Sequence, residues 1–246
     1  MIAKRLVAHR GYPRHYPENT LLGMSKAVEA RAKFIETDIL FSADQQPVLY
    51  HDTLMTRISG VENAIHLLTL DELRQYPANE PERLGQAFSS EHITPLSALV
   101  GLLSEHPDVT AFVELKRTGL ETVGIENAYR IVSEILDPVI GQCVLISFSD
   151  EFIQYAHEQQ FPRLGVVLKD WQDRQGPWIT DIQPEFIFCD TDKVPEGATL
   201  DELPGTVVIY EVEDPDQAID WFNRGADMVE TFDIGSMITN LAHRTF

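Results

Sequence analysis

Eight short apolar runs, each trailed by a helix-like pattern, limit what this chain can fold into more than any other feature. The runs are Arg5–His9, Lys33–Ile39, Val109–Leu115, Gln142–Ser147, Arg163–Leu168, Glu185–Asp190, Thr206–Glu211 and Asp227–Thr231. They are too short for helices and rich in β-branched and aromatic residues, so they read as strands. Between them the spacing predicts helices over Thr20–Ala32, Pro95–Glu105, Leu120–Leu136, Ser149–Gln159, Asp214–Arg224 and Ile234–His243. Weaker helical patterns cover Trp171–Asp181 and Asp192–Leu203. Strictly alternating strands and helices pair in parallel, because each parallel neighbour needs a crossover. Eight such units in 246 residues predict a closed (β/α)8 TIM barrel. The runner-up is a doubly wound open sheet, which would favour a Gly-rich turn after the first strand, where only Gly11 stands. No linker divides the chain, so residues 1–246 read as a single barrel domain.

One connection is unusually long. Residues 45–94 contain "QPVLYHDTLMTRISG", "LLTLDELRQY" and a polar stretch, "PANEPERLGQAFSSEH". A connection this long inside a compact unit has structure or function of its own. It predicts a small hairpin insertion after strand two, with an arm at Pro47–Tyr50, a short helix at Leu70–Tyr76 and a mobile surface segment after Pro77.

Charge narrows the partners. Lys and Arg total 19 and Asp and Glu 39, a formal net charge of −20. That opposes nucleic acid and anionic membrane surfaces, but not a small anion held by local cations. No apolar run is long enough to span a bilayer, and no secretory signal precedes His9. The expectation is a cytoplasmic protein without stable membrane insertion, acting on a small molecule. Cys143 and Cys189 both sit in strand-like runs and read as buried free thiols.

Active sites of such barrels lie at the C-terminal ends of the strands. His9 and Arg10 end strand one, Glu36 and Asp38 strand two, and Glu114 and Lys116 strand three, while His51 and Asp52 follow the arm. Positions i and i+2 of a strand share a face, so Glu36 and Asp38 point together, as do Glu114 and Lys116. Three converging carboxylates repel one another, and a divalent cation of the Mg2+ or Ca2+ type offsets that charge with oxygen ligands. His9 and His51 suit proton transfer near neutral pH. Arg10 offers a donor fork to phosphate oxygens. The combination describes phosphoester chemistry. Asp190 and Lys169, at other strand ends, are further candidates to line the cleft, and His15 a candidate rim contact.

The stretches "AHRGYPRHYPENT", "ETDI", "PVLYHDTLMTRISG" and "VELK", in this order, resemble the signature set of the glycerophosphodiester phosphodiesterase family. "LLTLDEL", "ITPLSALVGLL" and "VLISFSDEFI" extend the likeness, which thins after Leu168. The resemblance implies a (β/α)8 barrel that hydrolyses glycerophosphodiesters to glycerol 3-phosphate and an alcohol. It implies one divalent cation on Glu36, Asp38 and Glu114, acid–base roles for His9 and His51, and phosphate binding by Arg10 and Lys116. Glu18 would support the site, and Asn19 or Thr20 would cap the first helix. Many members carry Trp-Thr-Val-Asn on strand seven, where this chain has "YEVE". Tyr210 is then the expected aromatic wall of the substrate pocket, and Glu211 adds a negative charge. On strand eight many members end in Thr-Asp, where this chain reads "VETFD". Two other readings stand beside this one: a lysophospholipase D-type phosphodiesterase, and a catalytically silent phosphate-binding barrel.

Overall fold

The structure is a computed structural model that describes residues 2–242 and 244. Ten strands form one sheet: β1 (Leu6–Ala8), β2 (Phe34–Phe41), β3 (Pro47–Leu49), β4 (Thr94–Pro95), β5 (Thr110–Leu115), β6 (Cys143–Ser147), β7 (Leu164–Val167), β8 (Phe186–Asp190), β9 (Thr206–Tyr210) and β10 (Met228–Thr231). Eight of them, β1, β2 and β5 to β10, run parallel and close into a ring through β1–β2 and β1–β10 pairing. This is the expected (β/α)8 barrel, and the extra strands β3 and β4 pair antiparallel outside the ring.

Alternation along the strands divides the residues cleanly. Val7, Phe112, Val144, Phe186, Val208 and Met228 fill the lower barrel interior. Ile35, Ile39, Val113, Leu145, Ile187 and Val229 face outward into the layer beneath the helices. Both cysteines belong to that outer layer. Burial pushes each thiol up to about 12, so neither offers a thiolate at neutral pH.

The long helices are α1 (Leu21–Glu29), α2 (Leu96–Glu105), α3 (Ile125–Leu136), α4 (Asp150–Glu158), α5 (Pro215–Asn223) and α6 (Ile234–Leu241). Four of them start on side-chain caps, from Thr20, Ser149, Asp214 and Asp233. Each cap satisfies backbone donors that the first turn leaves open. The expected end of the last helix, His243, lies outside the described residues.

Three sequence expectations need correction. The helix expected over Leu120–Leu136 is two helices, Arg117–Val123 and α3, broken at Gly124, whose φ of 79° is open to glycine and strained for other residues. The weak pattern at Trp171–Asp181 splits into a 3-10 turn and a four-residue helix at Gly176–Pro177, and Asp192–Leu203 forms turns around Pro195 and Gly197. The segment after Pro77 lies at the surface over residues 81–92, as expected, but its start is held inward. Ala78, Asn79 and Glu80 are buried. The Glu80 carboxylate accepts the Glu18 backbone N–H at 2.8 Å, and Arg83 donates to the carbonyls of Pro13 and Tyr16. Glu80 and Arg83 thereby latch the insertion onto the first βα loop. The arm at Pro47–Leu49 and a short helix at Leu70–Leu73 are present. They pack on a small core of Leu40, Val48, Tyr50, Met55, Ile58 and Ile65.

Gly11 lets the first βα loop turn. Its φ is 89°, and a Cβ there would sit 2.8 Å from the Gly23 carbonyl carbon and 2.9 Å from the Met24 nitrogen. Positive φ costs an L-residue about 1–2 kcal/mol, and the clash adds about 1–3 kcal/mol. Gly11→Ala should therefore lower the melting temperature by roughly 5–15 °C, read by circular dichroism.

Candidate active site

Residues at the C-terminal mouth of the barrel enclose a cavity of about 120 Å3. His9, Arg10, Glu36, Asp38 and His51 line one part of it, with Glu114 and Lys116 beside them. His9, Arg10, Glu36, Asp38, His51, Glu114, Lys116 and Tyr210 are therefore brought together. Ile146, Phe148, Val167 and Phe188 supply an apolar wall. Asp190, Lys169 and His15 are not part of the cavity lining. Asp190 accepts the Asp192 N–H, Lys169 pairs with Asp150 at 3.6 Å, and His15 packs edge-on to Tyr12.

Register explains the carboxylate cluster. Asp38 pairs with Glu114 across β2 and β5, and Glu36 lies two residues before it on the same face. Ligand oxygens of Glu36, Asp38 and Glu114 lie within 4.8 Å of one another, and all three residues are buried. Burial, together with Asp38, Glu230 and Glu114, pushes the Glu36 carboxyl well above its usual range. Burial also raises Glu114, outweighing Lys116. Burial works on Asp38 in the same direction, but Lys116 and Arg10 overcome it and hold that carboxyl well below its usual range. Lys116 Nζ lies 3.1 Å from Asp38 and 3.0 Å from Glu114. Arg10 Nε lies 3.2 Å from Asp38. Among the described residues, Glu36 Oε1 is buried with no hydrogen-bond partner, and Glu114 Oε1 meets the Lys116 ammonium. Buried, mutually repelling carboxylate oxygens are the donor set a hard divalent cation takes. Glu36, Asp38 and Glu114 therefore fit such an ion.

The two histidines sit in different surroundings. His9 is buried, stacks on Phe232 at 4.6 Å and lies 3.7 Å from Glu36. Burial and then Arg10 lower it well below the usual imidazole range, so it is held neutral. His51 is part-exposed, and its Nδ1 is 2.6 Å from Asp52 Oδ1. That contact fixes the proton on Nδ1 and leaves Nε2 as the basic atom.

Several residues of the site were missed in the sequence. Asn19 does not cap α1; Thr20 does. Asn19 instead donates to Asp38 Oδ2 at 2.8 Å, and its oxygen accepts from Thr37 and from the Asp38 N–H. Arg57 donates to both Asp52 oxygens at 2.7 and 2.9 Å and to both Glu18 oxygens at 2.7 and 2.8 Å. Glu18 also accepts from Arg10 at 3.2 Å. Arg57 thus ties the His51 support to the Arg10 support, as a positioning residue. Arg57→Lys, which loses the planar fork, should lower kcat about 10–100-fold with KM little changed. Glu230 is the last omission. It is buried in the cavity lining, two residues after Met228 on the same strand face. Alternation in "DMVET" carried that signal, because Met228 faces the barrel interior.

Fold and mouth together define a (β/α)8 barrel of the phosphodiesterase class. Residues 9–175 match the Glycerophosphoryl diester phosphodiesterase family. The chain belongs to that family. A glycerophosphodiester phosphodiesterase of Caldanaerobacter subterraneus subsp. tengcongensis is 26% identical over 180 residues, 73% of this chain and 72% of that one. Human glycerophosphodiester phosphodiesterase 1 is 33% identical over 110 residues, which span 45% of this chain but 33% of the human protein. A Bacillus subtilis relative is matched over 48% of its length. Among solved structures, an Oleispira antarctica phosphodiesterase in complex with sn-glycerol-3-phosphate aligns with a TM-score of 0.83 at 21% identity. The alignment covers 97% of this chain and 96% of that one, and it bears on the fold alone. Among the described residues, no helix is long and apolar enough to cross a membrane.

Proposed function

We propose that the protein is a cation-dependent enzyme that hydrolyses glycerophosphodiesters to glycerol 3-phosphate and an alcohol. We read residues 1–246 as one catalytic barrel domain and the cytoplasm as its site of action. The observation that carries this reading is the cavity, where a buried carboxylate triad, two cationic side chains and two histidines converge. Glu36, Asp38 and Glu114 would hold one Mg2+ or Ca2+. Once bound, that ion would supply positive charge to the phosphate oxygens.

The chain's own groups do the rest. Arg10 and Lys116 bind the anionic phosphodiester, each oriented by Asp38. One histidine takes the proton of the attacking hydroxyl, from water or the neighbouring glycerol hydroxyl. The other delivers a proton to the departing alcohol oxygen. Asp52 stabilises the imidazolium of His51 when that residue carries the proton. Tyr210, Phe188 and Phe148 form the wall against which the carbon skeleton packs.

A panel of glycerophosphodiesters with different alcohols, scored for glycerol 3-phosphate release with Mg2+ or Ca2+, tests the reading. Release from at least one is expected. Binding of glycerol 3-phosphate without turnover of any would make the chain a phosphate-binding barrel instead.

A further inference from the structure

The cavity holds more negative charge than one cation seat explains. Five carboxylates line it, those of Glu36, Asp38, Glu114, Glu211 and Glu230, against the two cationic side chains Arg10 and Lys116. The formal excess is three negative charges, since five less two is three. One divalent cation leaves one, and a phosphodiester restores two. Glu230 has no place in the seat formed by Glu36, Asp38 and Glu114. It is buried, its Oε2 lies 4.0 Å from His9 Nε2, and its Oε1 has no hydrogen-bond partner among the described residues.

A second triad of buried ligands includes it. His9, Glu36 and Glu230 offer ligand atoms within 4.8 Å of one another. His9 Nε2 lies 3.7 Å from Glu36 and 4.0 Å from Glu230. Zinc bonds of about 2.0–2.2 Å place tetrahedral ligands about 3.4 Å apart, so His9 needs to approach each carboxylate by only a few tenths of an ångström, with Glu36 and Glu230 already within 4.8 Å of each other. The far side of the imidazole is also provided for. His9 Nδ1 is buried and unpartnered, with the half-exposed Glu211 carboxylate 4.0 Å away. A ligating histidine donates its other N–H to such a carboxylate.

We propose that His9, Glu36 and Glu230 form a second cation seat, selective for Zn2+-type ions, and that filling it switches the enzyme off. An imidazole ligand favours zinc over the hard ions suited to the all-oxygen seat. A cation on Nε2 occupies the lone pair that His9 needs to move a proton. This inhibition rests on the proton-transfer reading of His9; the seat itself does not.

The test titrates ZnCl2 into the Mg2+-loaded protein. Calorimetry and metal analysis give the stoichiometry, and glycerol 3-phosphate release gives the rate. One Zn2+ per chain should bind while Mg2+ is retained, with turnover falling at least about tenfold as the seat fills. Glu230→Gln should weaken Zn2+ binding at least about tenfold and shift inhibition to match. Absence of added Zn2+, or one-for-one loss of Mg2+, overturns the seat, and the wild-type protein alone decides this. Inhibition unchanged in Glu230→Gln also overturns it. Stoichiometric, Glu230-dependent Zn2+ binding with turnover unaffected overturns the switch and the proton role of His9 together, leaving the seat standing. If no glycerophosphodiester is turned over at all, the proposed function fails, and the stoichiometry still decides the seat.

Discussion

His51→Ala should lower kcat about 10²–10⁴-fold, the scale of a lost general acid or base. His51 lies at the cavity mouth, part-exposed, and its Nδ1 is held by Asp52 at 2.6 Å. Its hydrogen bond to Asp52 is part-exposed, so the fold should survive and the melting temperature should move little. The loss should fall on kcat rather than KM, because the interaction is used only in the transition state. Steady-state kinetics and a melting curve on one preparation check both points. Turnover within a few-fold of wild type would remove His51 from the proton path.

Asp38→Asn should be at least as damaging, for a different reason. Asp38 is the one carboxylate of the triad held well below its usual range, by Lys116 and Arg10 against the pull of burial. It orients both cationic side chains and is fixed by Asn19 at 2.8 Å. Asn keeps the shape and removes the charge. One proposed cation ligand is lost, and the proposed phosphate anchors lose their shared partner. Losing several kcal/mol of charge stabilisation at about 1.4 kcal/mol per decade gives a fall in kcat of about 10³-fold. Equilibrium dialysis should show weaker Mg2+ or Ca2+ binding in the same variant. A variant that binds the ion normally yet is inactive would place Asp38 in substrate orientation only.

The fold was legible because barrel strands and helices alternate with a period the sequence displays openly. Most of the candidate site was legible because strand-end residues are charged where core residues should stand. Other parts were hidden for physical reasons. Arg57 and Glu18 lie 39 positions apart, and their mutual fork depends on how the insertion folds back. Glu80 sits in a stretch whose composition looks solvated, yet its carboxylate is spent on a backbone N–H of the first loop. Asn19 occupies a cap-like position next to the true cap, and its φ of 52° turns it toward Asp38 instead. Glu230 was concealed because strand-end patterning points to the last residues of strand eight. Its own position, one alternation below, faces the cavity.

Cation dependence of phosphodiester hydrolysis is the centre of the account. The direct measurement is glycerol 3-phosphate release from glycerophosphocholine, or from the best substrate of the panel, by protein stripped with a chelator. The same sample is then assayed after Mg2+ or Ca2+ is returned. The carboxylate triad predicts no measurable release in chelator and recovery on adding the ion. Full release in chelator, by protein shown to be free of metal, would contradict it.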